Sequence, residues 1–204
     1  MKPYAFAGLC LLAMFGCGDR DDSGDPPAEE DPPIDEVIIV DVTYAVTETF
    51  VVDFGPRVLG TSDVDSHVRY GFFIQDFPME ALEEEPIQGT MSIFLDLNAA
   101  DGTGFIPDLF DYLGNDDGDY QKEIYDDRSW FDVGVARVDT DGDGLLTAED
   151  TSLQANGGSV SVEALENGEF RIELNVETDG GPLRGTFDAA FEVFTPDDVN
   201  FPAR

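Results

Sequence analysis

From Val37 onward, apolar side chains recur at every second position, and that period dictates extended chain with one buried face. Met91, Ile93, Leu95 and Leu97 alternate with Ser92, Asp96 and Asn98. Phe170, Ile172, Leu174 and Val176 alternate with Arg171, Glu173, Asn175 and Glu177. Further along, Phe187, Ala189 and Phe191 oppose Thr186, Asp188 and Glu192, and earlier Val68, Tyr70, Phe72 and Ile74 form another such row. A longer row runs through Val40, Val42, Tyr44, Val46, Phe50, Val52 and Phe54, with a break at Glu48 that reads as a bulge. Weaker strands are expected over Phe131–Val138 and Gly158–Leu165.

Short turns join these runs. Glu166-Asn167-Gly168 and Asp179-Gly180-Gly181-Pro182 hold the residues that tolerate positive φ, so each closes a hairpin. One wet face per strand fits an antiparallel sheet. The fold expected is an all-β domain over residues 37–204, an antiparallel meander of about seven or eight strands, with a calycin-like barrel favoured over a sandwich. Two insertions interrupt it. Phe77–Pro86 reads as a helical turn whose glutamates face water. Gly104–Gly114, with Pro107 at its start and Ile106, Phe110 and Leu113 at helical spacing, reads as a short helix plugging the sheet or, on the sharper view, an aromatic lid.

The 45 acidic residues against 10 basic ones give a formal charge of -35, which excludes a general nucleic-acid binder. Direct adhesion to anionic lipid is disfavoured for the same reason unless a cation bridges the surfaces. The 16 phenylalanines supply core area that a disordered acidic chain lacks.

Residues 1–16 read as an export signal: Lys2 is the positive start, and the 12-residue apolar run Tyr4–Phe15 is too short to span a bilayer. The run ends at Gly16-Cys17. Cleavage there removes Cys10 and leaves Cys17 as a lone thiol unable to form an internal disulfide. Leu12-Ala13-Met14-Phe15-Gly16-Cys17 resembles the lipobox of bacterial lipoproteins, departing at Met14 and Phe15. That resemblance implies lipidation of Cys17 and an outer-membrane or cell-surface address, since Gly18-Asp19 is not an inner-membrane retention mark. Residues 17–36 carry nine acids and two proline pairs, an extended, self-repelling tether.

One segment carries chemistry. In Asp139-Thr140-Asp141-Gly142-Asp143-Gly144-Leu145-Leu146-Thr147-Ala148-Glu149-Asp150, alternate aspartates in a tight loop aim carboxylates inward, and Gly144 permits the sharp turn. The segment resembles an EF-hand calcium loop. The resemblance implies Ca²⁺ held by Asp139, Asp141, Asp143, the Leu145 carbonyl, Thr147 directly or through water, and Asp150, with Leu146 packing the loop on the core. Asp150 stands where the family has glutamate, whose longer arm gives bidentate coordination, and strand rather than helix enters the loop. Thr147 and Asp150 form a capping box, from which a short helix through Leu153–Ala155 is expected, stopped by Asn156-Gly157-Gly158. Such a unit acts as a structural clamp, not a sensor. A second acidic run, Asn115, Asp117 and Asp119 with Glu123 and Asp126, is the other cation candidate.

Catalytic signatures are weak. His67 alternates onto the polar face and reads as a surface residue, and Trp130 reads as core, with sugar stacking the alternative. The function expected is a non-catalytic, lipid-anchored envelope module with a calcium loop, binding a protein or a calcium-bridged glycan. The alternatives are a lipocalin-like carrier of a small apolar ligand and a glycan-active enzyme.

Overall fold

The computed structural model describes residues 35–58, 65–83, 86–100, 105, 107–114 and 127–199. The chain divides into Met1–Pro33 and Ile34–Arg204, and every described residue belongs to the second unit. The signal, Cys17, most of the tether and the acidic run at 115–126 lie outside the described residues.

The unit is all-β. Its strands are β1 (Glu36–Ile39), β2 (Val42–Ala45), β3 (Glu48–Val58), β4 (Asp65–Gln75), β5 (Ile87–Gln88), β6 (Met91–Ala100), β7 (Leu109–Tyr112), β8 (Trp130–Val138), β9 (Leu145–Leu146), β10 (Thr151–Ala164), β11 (Phe170–Thr178), β12 (Gly181–Ala189) and β13 (Glu192–Phe194). A 3-10 turn at Met79–Glu83 is the helical turn expected between β4 and β5, with Glu80 exposed. Eleven strands form one curled sheet in the order β13-β3-β4-β6-β8-β7-β10-β11-β12-β1-β2, and β5 pairs with β9 apart from it.

The strand count exceeds the seven or eight expected, and the sheet is mixed: β7 runs parallel to β8, and β13 parallel to β3. The rest is antiparallel between neighbours, including β8–β10 at Val138↔Thr151 and Val135↔Gln154. Beyond that pairing β8 and β10 part, and β7 wedges between them, bonding β10 through Phe110↔Val160 and β8 through Asp111↔Trp130. This overturns the helix expected within 104–114. Spacing alone does not separate the two states over so short a segment, and the open ladder beside it favours extended chain.

The helix expected at 153–155 is also absent, because β10 begins at Thr151 and runs on to Ala164. Gly157-Gly158 marks a bulge instead of a stop: the register against β11 shifts between Ala155 and Gly157, and Gly158 takes φ +96°.

The main core lies on one face of the sheet, built by Val51, Tyr70, Phe72, Ile93, Leu95, Phe110, Phe131, Val160, Ile172 and Leu174 among others. Ring edges meet there, with Phe105 centred 5.4 Å from Tyr70 and 5.5 Å from Phe191. On β11 the expected alternation holds, Ile172, Leu174 and Val176 being buried between exposed neighbours. On β3, β4 and β6 it does not. Phe50, Val52 and Phe73 face the opposite way and join Val199 in a second core, packed by Phe54, Met79, Leu82, Phe94 and Phe194. These three strands are apolar on both faces because the 3-10 turn, β13 and the segment after it cover the outer one.

The row expected from Val40 to Phe54 therefore breaks. Val40 and Asp41 form the β1–β2 turn at φ 48° and 68°, and the chain corners at Val46-Thr47 between β2 and β3. The irregularities in β3 fall at Asp53/Gly55 and Arg57/Val58, not at Glu48.

Candidate metal centre

The loop between β8 and β10 is fixed from several sides. Where it leaves β8, Val138 pairs with Met91 and the Asp139 N–H donates to the Thr90 carbonyl at 2.9 Å. At its middle, β9 pairs with β5 through Leu146↔Ile87, and the Gly89 N–H donates to the Gly144 carbonyl at 3.1 Å. Leu146 is buried with Phe77, Ala81 and Ile87 in a small satellite core, so the apolar residue of the loop does pin it to the fold. Arg137 donates to the Thr147 carbonyl at 2.9 Å.

Within the loop, Gly142 and Gly144 take φ +77° and +80°, which turns backbone N–H groups toward the aspartates. Asp139 accepts from Gly142 and Gly144 at 2.8 Å each, Asp141 from Asp143 at 3.2 Å, and Asp143 from Leu145 at 2.9 Å. One carboxylate oxygen from each of Asp139, Asp141 and Asp143 lies within 4.8 Å of the others, and among the described residues no other such group of His, Cys, Asp or Glu occurs. Asp139 is half-buried and the other two are exposed. Carbonyls alternate in direction along extended chain, so with Gly144 bonded to Gly89 the Leu145 carbonyl turns to the other side.

Asp150 has a different task. One oxygen accepts the Thr140 N–H at 3.1 Å and the other the Thr147 N–H at 2.7 Å, so it ties the two ends of the loop together. The Thr147 hydroxyl donates to Asp150 at 3.0 Å and accepts from the Glu149 N–H at 3.2 Å. Asp150 thus accepts the Thr147 N–H as a capping box requires, whereas the Thr147 hydroxyl takes the Glu149 N–H and the Asp150 N–H goes to the Thr147 carbonyl, over a turn that opens into a strand.

The electrostatics follow these bonds. The N–H groups of Gly144 and then Gly142 hold Asp139 below the ordinary carboxylate value, and those of Thr147 and then Thr140 do the same for Asp150. Asp141 goes the other way. The Asp143 N–H holds it down, but the Asp143 carboxylate, its desolvation and Asp139 together push it above its ordinary value. Like charges gathered this closely repel, and a divalent cation among them relieves that repulsion. A carboxylate whose folded pKa is lowered stabilises the fold above its unfolded pKa and loses that contribution as pH falls through the lowered one. Asp139 and Asp150 are expected to hold the loop down to about pH 4 and release it below. Without metal, the Gly142 and Gly144 amide resonances should stay fixed between about pH 7 and 5 and move below about pH 4. Movement at near-neutral pH contradicts this.

Compared with known proteins, the chain matches no family model, no curated protein and no solved structure.

One residue was placed differently by the sequence, and Trp130 lies in the core as expected. His67, expected on the surface, is 2% exposed, with its Nε2 2.9 Å from the Arg128 carbonyl and its ring edge-on to Trp130 at 5.9 Å. The polar face of β4 is itself covered, which alternation does not reveal. Trp130 is buried, and the Arg57 guanidinium lies 4.9 Å over its ring, the face that sugar stacking needs. Asp76 was missed. Its carboxylate accepts from the N–H groups of Thr90 and Met91 and from the Thr90 hydroxyl, closing the segment that carries β5 against the loop. Nothing in the sequence marks a closure spanning 14 positions.

Proposed function

We propose that the chain is a non-catalytic protein of the bacterial cell envelope, exported and lipid-anchored at Cys17, in which the 139–150 loop binds Ca²⁺ as a structural clamp. The observation that carries this reading is the convergence of Asp139, Asp141 and Asp143 oxygens in a loop already turned by Gly142 and Gly144. Ca²⁺ is a hard cation that takes six to eight oxygens, and flexible, partly hydrated sites suit it. The donors fit such an ion: three carboxylates, the Leu145 carbonyl and Thr147 through water, with Asp150 holding the loop ends. With Asp150 committed to two backbone N–H groups, the site takes fewer protein oxygens and binds weakly, as extracellular calcium permits.

At free Ca²⁺ about a hundredfold above Kd, binding adds about 2.7 kcal/mol. The melting temperature should then exceed that in chelator by roughly 5–10 °C. The rise should vanish in Asp141→Ala plus Asp143→Ala. An unchanged melting temperature in the parent chain counts against the site. The anchor is tested separately: the parent should partition into detergent, and Cys17→Ala into water.

The scaffold reads as a closed barrel when β2 and β3 are taken as one bent strand. Two hydrogen bonds at the corner support this: the Val46 N–H donates to Asp35 beside β1, and the Thr47 N–H donates to Gln75 of β4. The ring is then β1, β2–β3, β4, β6, β8, β10, β11 and β12, eight strands each antiparallel to the next. Aromatic packing on the inner face favours a structural module over a carrier of apolar ligands. The buried, Arg57-covered Trp130 likewise gives no support to glycan hydrolysis.

A further inference from the structure

Among the described residues the curled sheet has two edges, β13 and β2. An edge strand presents unpaired N–H and C=O groups, and proteins guard such edges with charge, proline or bulges. The β13 edge carries Glu192 and is followed by Pro196. The β2 edge, Val42-Thr43-Tyr44-Ala45, has none of these, and Val42 is 51% exposed.

The backbone of β2 is aimed in a definite way. Val42 and Ile39 flank the two-residue turn, so Val42 and Tyr44 bond to β1, as Val46 does to Asp35. Thr43 and Ala45 point the other way, the side on which the Thr47 N–H reaches Gln75 at 3.0 Å. The free edge of β2 therefore looks into the place β4 would fill had it not ended at Gln75. Both Thr43 and Ala45 are exposed. The flank of this slot is acidic. Asp76 directly follows Gln75, whose carbonyl accepts the Thr47 N–H, and the Asp76 carboxylate accepts the Thr90 N–H. The Thr90 carbonyl accepts the Asp139 N–H, so both acids sit beside the end of β4. After burial, the same two raise the Tyr44 phenol above its ordinary pKa.

We propose that the open edge of β2 receives an extended, basic segment of a partner protein, which adds a strand where β4 ends. Main-chain hydrogen bonds from Thr43 and Ala45 supply the register, and lysine or arginine side chains meet Asp76 and Asp139. Charge selects this occupant over two others. The chain's own tether carries nine acids against Arg20 alone, and a second copy brings another charge of -35.

The test uses the full chain in mild detergent and chelator, with a roughly six-residue peptide of alternating lysine and valine as probe, and a glutamate–valine peptide as control. Thr43→Pro and Ala45→Pro each remove an outward N–H that no ladder uses. The lysine peptide should bind at least tenfold more tightly than the glutamate peptide, and either proline variant should weaken it at least tenfold. In the parent chain, amide exchange at Thr43 and Ala45 should slow on binding while that at Val42 and Tyr44 does not, a readout independent of how the variants fold. Binding that ignores both prolines and leaves those amides unchanged is bulk charge attraction and overturns the proposal. So does the absence of binding, or self-association of the chain that the prolines abolish.

Discussion

Gly158→Ala is expected to cost about 3–5 kcal/mol, lowering the melting temperature by roughly 6–20 °C. Gly158 sits at φ +96°, a conformation that side chains rarely adopt. A Cβ there would also lie 2.1 Å from the Asn175 carbonyl oxygen and 2.8 Å from the Val176 Cα. These are backbone atoms of the paired strand, so relief requires β10 and β11 to separate at the bulge that bends β10. Gly157 is the control. A Cβ at that position meets only the Glu177 side chain, at 3.6 Å, and Gly157→Ala should change stability by about 1 kcal/mol or less. Thermal melts of the two variants decide it. Equal effects would mean that the bulge is not held as described.

The second large effect is expected on the covered outer face of β4 and β6. Arg69 donates through Nε to both oxygens of Asp96, at 2.8 and 2.9 Å, and through Nη2 to one of them at 2.6 Å. The Asp96 side chain is 5% exposed and that of Arg69 42%. Removing the arginine strands a buried carboxylate, a loss of about 3–5 kcal/mol in a fully buried pair. Screening at the exposed guanidinium lowers the expectation for Arg69→Met to about 2–3 kcal/mol. Arg69→Met with Asp96→Leu replaces both partners by apolar groups and should recover most of the loss. Denaturant unfolding of the parent, single and double variants reads this directly. A double variant no more stable than Arg69→Met would show that the loss comes from packing over Phe54, 4.8 Å from the guanidinium, and not from the stranded charge.

What could be read from sequence followed the reach of local rules. Alternation at β11 marked the buried side chains because side-chain direction there depends only on strand period. Asn167-Gly168 and Asp179-Gly180 marked two hairpins because their backbone freedom is local. The Asp139–Asp150 loop was legible for the same reason, and three of its six expected ligands share one cluster. Failures came wherever a distant segment decided the outcome. β7 is a strand because β8 and β10 part around it. His67 is buried because the polar face of β4 is itself covered, and Phe50 faces a second core because β13 returns to β3 in parallel. Asp150, a ligand by its position, also accepts backbone N–H groups from both ends of the loop, a closure that its position alone does not announce.

Calorimetric titration of Ca²⁺ into metal-free protein at neutral pH tests the clamp most directly. Saturable binding at one site, with Kd of about 10⁻⁴–10⁻³ M and abolished by Asp139→Ala, is the expected result. A flat titration of the folded parent chain would contradict it.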